Sequence, residues 1–180
     1  MRGERGVRKQ PQYFYGYKQH VSFNAQAEII TSLCCSTGHD YDGHYLPRLV
    51  EADLALGLPV ETYAADRGYD DSENHVFLAE NGLHSAIRLN SYRTRKKDLN
   101  KRVWLEKEVS EPYQAGLKER YKIERKFGEG KRYHGMGRCR YLGLVRYAIQ
   151  SILTAIVLNL KRLVKLLTGV SFRGRAKVVV

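Results

Sequence analysis

Tyr, Phe and Val crowd residues 13–23, and a second β-prone run covers residues 27–35 after Asn24-Ala25-Gln26. Two such runs joined by turn-formers predict a β-hairpin. The period then changes. After Gly38-His39-Asp40-Tyr41-Asp42-Gly43, which is turn chemistry, Leu46, Leu49, Val50, Asp53 and Leu54 recur three and four apart. That spacing predicts a helix ending at Leu56-Gly57, with Pro59 beyond it. Residues 60–65 read as a short strand and residues 66–69 as a turn. Asp70, Asp71 or Ser72 can cap a helix running to Asn81-Gly82, and residues 83–89 return to strand. The result is a β-α-β unit, which implies a parallel pair with a right-handed crossover. Functional groups in open α/β sheets gather at the carboxyl ends of strands, where Asp66 sits. Two long helical segments close the chain, at about 110–127 and about 142–167, separated by Gly128, Gly130, Gly135 and Gly137.

Charge adds a direction to this α/β outline. The 180 residues carry a formal charge of +12, unevenly spread. Residues 1–87 hold seven Lys/Arg against twelve Asp/Glu, while residues 130–180 hold eleven Lys/Arg and no carboxylate. Such asymmetry points to a polyanionic partner. Residues 88–102 contain seven Lys/Arg opposed only by Asp98, and Arg93, Arg95, Lys96, Lys97, Lys101 and Arg102 are the candidates for DNA-phosphate contacts. Neither this segment nor the basic C-terminal region contains a base-reading pattern. The longest apolar stretch, residues 148–160, is broken by Gln150, Ser151, Thr154 and Asn159, too short and polar to span a bilayer. The basic first ten residues precede no apolar leader, so a cytoplasmic location is the plain reading. Cys34, Cys35 and Cys139 form no disulfide or zinc pattern and read as reduced thiols.

The chemistry centres on a few residues. On a helix, Arg120, Glu124, Phe127 and Lys131 fall within a sixty-degree stripe, so one acid lies between two cations. Taken alone, this is a solvated ion-pair ladder. However, Arg, three residues, Glu, six residues, Lys resembles the signature around the third acid of bacterial insertion-sequence transposases of the DDE superfamily. That signature usually opens with a Tyr where this chain has Leu117. Further blocks resemble the family in order: Tyr15-Gly16-Tyr17-Lys18-Gln19-His20, Ala65-Asp66-Arg67-Gly68-Tyr69, Ile123-Glu124-Arg125-Lys126-Phe127-Gly128, His134-Gly135 and Leu153-Thr-Ala-Ile-Val-Leu-Asn-Leu-Lys161.

The resemblance implies an α/β fold, an RNase H-like mixed sheet flanked by helices. Three carboxylates there hold two divalent ions, Mg²⁺ or Mn²⁺, for cleavage and joining of double-stranded DNA. It assigns Asp66 and Glu124 as metal ligands, Lys131 to a phosphate, and Arg120 to orienting Glu124 or meeting the DNA backbone. A homodimer is implied, because two DNA ends must be paired. The family carries its first Asp on the first strand of the core, upstream of the Tyr15–His20 block. Before Tyr13 this chain has only Glu4 as an acid. The first strand and its Asp are therefore expected to be missing, leaving a decayed fragment or one reading frame of a frameshifted product. The expected organisation is a basic segment over residues 1–12, an incomplete transposase domain over 13–168 and a basic tail over 169–180. A non-catalytic DNA-binding remnant and a nuclease on the same fold are the alternatives. The cluster His39, Asp40, Asp42 and His44 matches no zinc spacing and reads as turn chemistry. Trp104 reads as core rather than as a base-stacking aromatic.

Overall fold

The computed structural model describes residues 16–90 and 110–169. Strands β1 (Tyr17–Asn24) and β2 (Ile29–Thr37) form the expected antiparallel hairpin. Asn24 makes its turn: the side-chain carbonyl accepts from the Gln26 and Ala27 amides at 3.0 and 2.8 Å. Helix α1 (Leu46–Ala55) follows, and Gly57 at φ +66° lets the chain leave it in a left-handed conformation. Its Leu46, Leu49, Val50 and Asp53 are buried, whereas Leu54 lies at the exposed margin of the stripe.

Strand β3 (Thr62–Ala65), helix α2 (Ser72–Glu80) and strand β4 (His84–Ile87) make the β-α-β unit, and β3 pairs with β4 in parallel. Of the three candidate caps, Asp71 is the one used, accepting from the Glu73 amide at 3.3 Å. Leu46 and Val50 of α1, Leu78 of α2, and Leu83 and Ile87 form one core cluster over this unit.

Three helices complete the described chain: α3 (Glu111–Glu119), α4 (Tyr121–Tyr133) and α5 (Leu144–Thr168). The helix expected to stop before Gly128 runs on to Tyr133. Gly128 faces open space, and Gly130 is needed where it stands, because a Cβ there would lie 2.5 Å from the Met136 sulfur and 3.5 Å from Leu158. A buried close approach therefore outweighs the low helix propensity of glycine. Helix α5 covers the hairpin, with Ala155 and Leu158 packed on Ile30. Asn159 reinforces this contact by pairing with both the amide and the carbonyl of Ile30, at 2.9 and 2.8 Å.

In place of the mixed sheet, lacking its first strand, that the resemblance implies, the described residues form two separate two-stranded sheets. Asp53 of α1 ties them together. Buried at 2% exposure, it accepts hydrogen bonds from Ser22 of β1 and, at 2.8 Å, from Tyr63 of β3. Burial and the Asp53 carboxylate together push the Tyr63 phenol far above its ordinary pKa. Every residue of β3 is only half-buried, although Ala86 and Ile87 on the neighbouring β4 are fully buried. Residues 91–102 of the basic segment, the N-terminal segment 1–12, Trp104 and all but the first residue of the basic tail lie outside the described residues.

Candidate functional site

Asp66 terminates β3 at the carboxyl end of the parallel pair, and its side chain accepts from the Arg67 amide at 2.7 Å. A short 3-10 turn, Arg67–Tyr69, follows. Gly68 in that turn packs against Asp42, whose carboxylate oxygen would be 3.1 Å from a Cβ there. Asp42 is itself held by Lys18 at 2.8 Å, and Asp40 accepts from Tyr45 and from the Thr37 amide. Asp42 therefore braces the turn after Asp66, and Asp40 braces its own turn. Among the described residues no three His, Cys, Asp or Glu side chains cluster as a metal site.

Behind the turn, Tyr69 donates to or accepts from His20 at 2.9 Å. The second His20 nitrogen meets Ser36 at 2.9 Å, and the ring stacks on Tyr45 with centroids 4.2 Å apart. Burial is the largest influence on His20 and lowers its pKa, so the neutral ring is favoured. Burial likewise pushes the Tyr69 phenol up, with the charges of Asp42 and Asp66 adding to it. The Tyr15–His20 block and the Asp66–Tyr69 block, apart in sequence, thus share one contact.

The opposite side of the site is Arg120. It forms the junction between α3 and α4 in helical conformation, φ −57° and ψ −31°. Its Nη1 reaches Asp66 at 3.2 Å and its Nη2 reaches Glu124 at 2.7 Å. One guanidinium therefore spans two acids that the sequence separates widely. Burial works against the Arg120 charge, but the Glu124 hydrogen bond and both carboxylates outweigh it and hold the pKa above its ordinary value. The two acids are open to solvent, Asp66 at 63% and Glu124 at 62% exposure. Ion pairs so exposed contribute about 0–1 kcal/mol, so stability does not account for this convergence. Lys131 is exposed on α4, roughly two turns beyond Glu124.

What sets Arg120 above Asp66 is Gly116, which the motif reading passed over. A Cβ there would come 2.8 Å from Ala86, 3.2 Å from Thr62 and 3.4 Å from Ala64. Glycine on the helix and small residues on the strands let α3 lie directly on the parallel pair, and Arg120 follows one turn later. The sequence signal was the alternation of Ala64 and Ala86 with a helical glycine, which is visible only once the pairing is known.

Past Glu124, Glu129 is held by Lys126 at 3.5 Å and by Lys161 at 2.6 Å, and Lys161 also lies 3.2 Å from His134. Burial opposes the Glu129 charge, but the two lysines prevail and lower its pKa. Burial and the Lys161 charge together lower that of His134. This network ties α4 to α5. The predicted DNA-contacting residues Arg93, Arg95, Lys96, Lys97, Lys101 and Arg102 lie outside the described residues. Cys34, Cys35 and Cys139 are free thiols, and burial raises the pKa of the first two.

Residues 2–160 match the family model described as Transposase DDE domain. The transposase for insertion sequence element IS1106 of Neisseria meningitidis serogroup B is 32% identical over 157 residues. That alignment covers 87% of this chain and 50% of the relative, so the chain spans half the length of the curated protein it matches. No solved structure matches it significantly. With the order of blocks, the junction of Asp66 with Glu124 through Arg120 and the match over most of its length, the chain belongs to the transposase DDE domain family.

Proposed function

We propose that this chain is the later part of an RNase H-like catalytic domain of an insertion-sequence transposase, contributing the second and third acids of a metal-dependent DNA strand-transfer site. The observation that carries the reading is the Arg120 guanidinium bonded to both Asp66 and Glu124. Two exposed carboxylates drawn to one cation form an oxygen donor set of the kind that Mg²⁺ or Mn²⁺ prefers. Asp66 and Glu124 would hold the ions, and bound there the metal supplies activation of an attacking hydroxyl and stabilisation of the departing one. Arg120 keeps the two carboxylates facing one another and can swing to the DNA backbone when they are otherwise engaged. Lys131, on the same helix, contacts a phosphate as a point charge. Arg93, Arg95, Lys96, Lys97, Lys101 and Arg102 attach to double-stranded DNA without reading bases.

The reading also accounts for the two half-sheets. Both β1 and β3 lack a second strand neighbour among the described residues. The buried Asp53 bridging them keeps one carboxylate oxygen without a partner. One further strand between β1 and β3 would join them into a mixed sheet beside that oxygen. An Asp on that strand would complete a triad with Asp66 and Glu124. Two DNA ends require two such sites, so a homodimer is the working assembly.

The test is strand cleavage and joining on a plasmid carrying the element's ends, with Mg²⁺ or Mn²⁺, using this chain alone and joined to an Asp-bearing upstream segment. Activity only in the joined form is expected. In that form, Asp66→Ala or Glu124→Ala should abolish cleavage and leave DNA binding intact. Full cleavage by either variant would refute the site. DNA binding without cleavage in the joined form would make the protein a non-catalytic binding remnant, and cleavage without joining a nuclease.

A further inference from the structure

Helix α5 is apolar on two opposite sides. Tyr147, Ser151, Thr154, Ala155 and Leu158 face the hairpin and are buried. On the other side Val145, Ile149, Ile152, Ile156, Leu160, Leu163 and Leu167 are exposed, from 41% at Leu163 to 83% at Leu167. At 100° per residue these seven lie within an arc of about 80° that contains no charged residue. The helix's own cations are elsewhere: Lys161 is bonded to Glu129, and Arg162 to Glu28 and the Ala27 carbonyl. Arg146 and Lys165 project outside the arc. Isolated exposed apolar residues are ordinary, but a continuous stripe of this length marks an interaction surface.

The stripe is symmetric about Ile156. A two-fold axis there sets Val145 against Leu167 of a second helix, Ile149 against Leu163, Ile152 against Leu160, and Ile156 against itself. We infer that α5 is a homodimerisation surface, pairing antiparallel with α5 of a second copy across an isologous two-fold interface. The absence of charge from the arc matters, because a second copy of a chain with net charge +12 is otherwise repelled. Antiparallel packing also opposes the two helix dipoles favourably. With Leu153 at the rim, the stripe offers on the order of 700 Å² per copy, close to the roughly 800 Å² per partner of a standard interface. This inference gives a surface to the homodimer of the proposed transposase. It rests on that part of the reading only.

Sedimentation equilibrium of the full chain, without DNA or metal, tests it. A dimer is expected at micromolar concentration, and Ile156→Lys, which sets two ammonium groups together at the axis, should weaken it at least a hundredfold. Because Ile156 is exposed, the helical circular dichroism of that variant should match the parent, and its melting curve should match that of the parent diluted below the concentration at which it dimerises. Orientation follows from oxidative cross-linking in a Cys139→Ser background: Ile149→Cys mixed with Leu163→Cys should cross-link, and Ile149→Cys alone should not. A monomer at a hundred micromolar would overturn the inference, as would cross-linking of Ile149→Cys with itself. So would a stripe protected from solvent only by polypeptide beyond these 180 residues, or sequestered by anionic lipid vesicles in place of dimerisation. None of these outcomes bears on DNA cleavage, so this surface and the catalytic reading fail separately.

Discussion

Two helical glycines that differ only in their surroundings should respond oppositely to the same substitution. Gly116 of α3 would place a Cβ 2.8 Å from the Ala86 Cβ, about 0.7–1.2 Å inside an ordinary carbon–carbon contact. Gly128 of α4 has no heavy atom within 4 Å of that point. Alanine gains about 1 kcal/mol of helix propensity at either position. At Gly128 that gain stands alone, so Gly128→Ala should stabilise the fold by about 1 kcal/mol. At Gly116 it is opposed by an overpacking cost of about 1–3 kcal/mol, because the atoms in the way belong to strand side chains with no room to turn aside. Gly116→Ala should therefore be neutral to about 2 kcal/mol destabilising, and the difference between the two variants should be about 1–3 kcal/mol. Urea unfolding at constant m measures both. The retreat of α3 also carries Arg120 away from Asp66, a contact already at 3.2 Å. Equal stabilisation by both substitutions would show that α3 is not seated on the β3–β4 pair and would remove the basis for the site geometry.

Asp53→Ala should cost about 1–3 kcal/mol in the same unfolding assay, because the half-buried Ser22 and Tyr63 hydroxyls lose their shared acceptor. A loss below about 0.5 kcal/mol would mean that the carboxylate does not tie the two sheets. His20 has a lowered pKa in the fold, so the unfolded chain binds the proton more readily. Its contribution is complete above the unfolded value of about 6.5 and is lost as pH falls from there towards the folded pKa. Asp40 and Asp42 oppose this shift and Lys18 supports it. His20→Gln should flatten that part of the stability–pH curve, and an unchanged slope would show that another group carries it. Replacing Arg93, Arg95, Lys96 and Lys97 with Ala should weaken DNA binding equally across sequences and reduce the salt slope by up to about 0.9 per lost phosphate contact. An unaltered slope would remove that segment from the interface.

The elements nearest the site were largely legible, and for a local reason. The hairpin, α1 and a cap among Asp70, Asp71 and Ser72 follow from periodicity and turn chemistry within ten or so residues, and the parallel pair from the order of elements in the β-α-β unit. The motif singles out Asp66 and Glu124 as candidates, and helical spacing puts Arg120 and Glu124 on one face, where the structure pairs them. The reach of α4 past Gly128 and Gly130 was misjudged because glycine's propensity is local, while the Met136 sulfur that occupies the space beside Gly130 is a tertiary neighbour. The close approach at Gly116, the bridge made by Asp53 and the His20–Tyr69 contact are invisible in the sequence for the same reason.

Sequence alone determined which residue types could serve a hard cation and phosphate, and the order in which the family's blocks occur. It also set the periodicities from which the helices and strands arise. Only the tertiary structure decided that one guanidinium would hold Asp66 and Glu124 together, that β1 and β3 would stand apart on either side of Asp53, and that α5 would leave half its apolar surface uncovered. The physical distinction is range. Propensity and capping act within a turn or two, whereas convergence of side chains from distant segments depends on how closely α3 can approach the strands, and that is settled by packing.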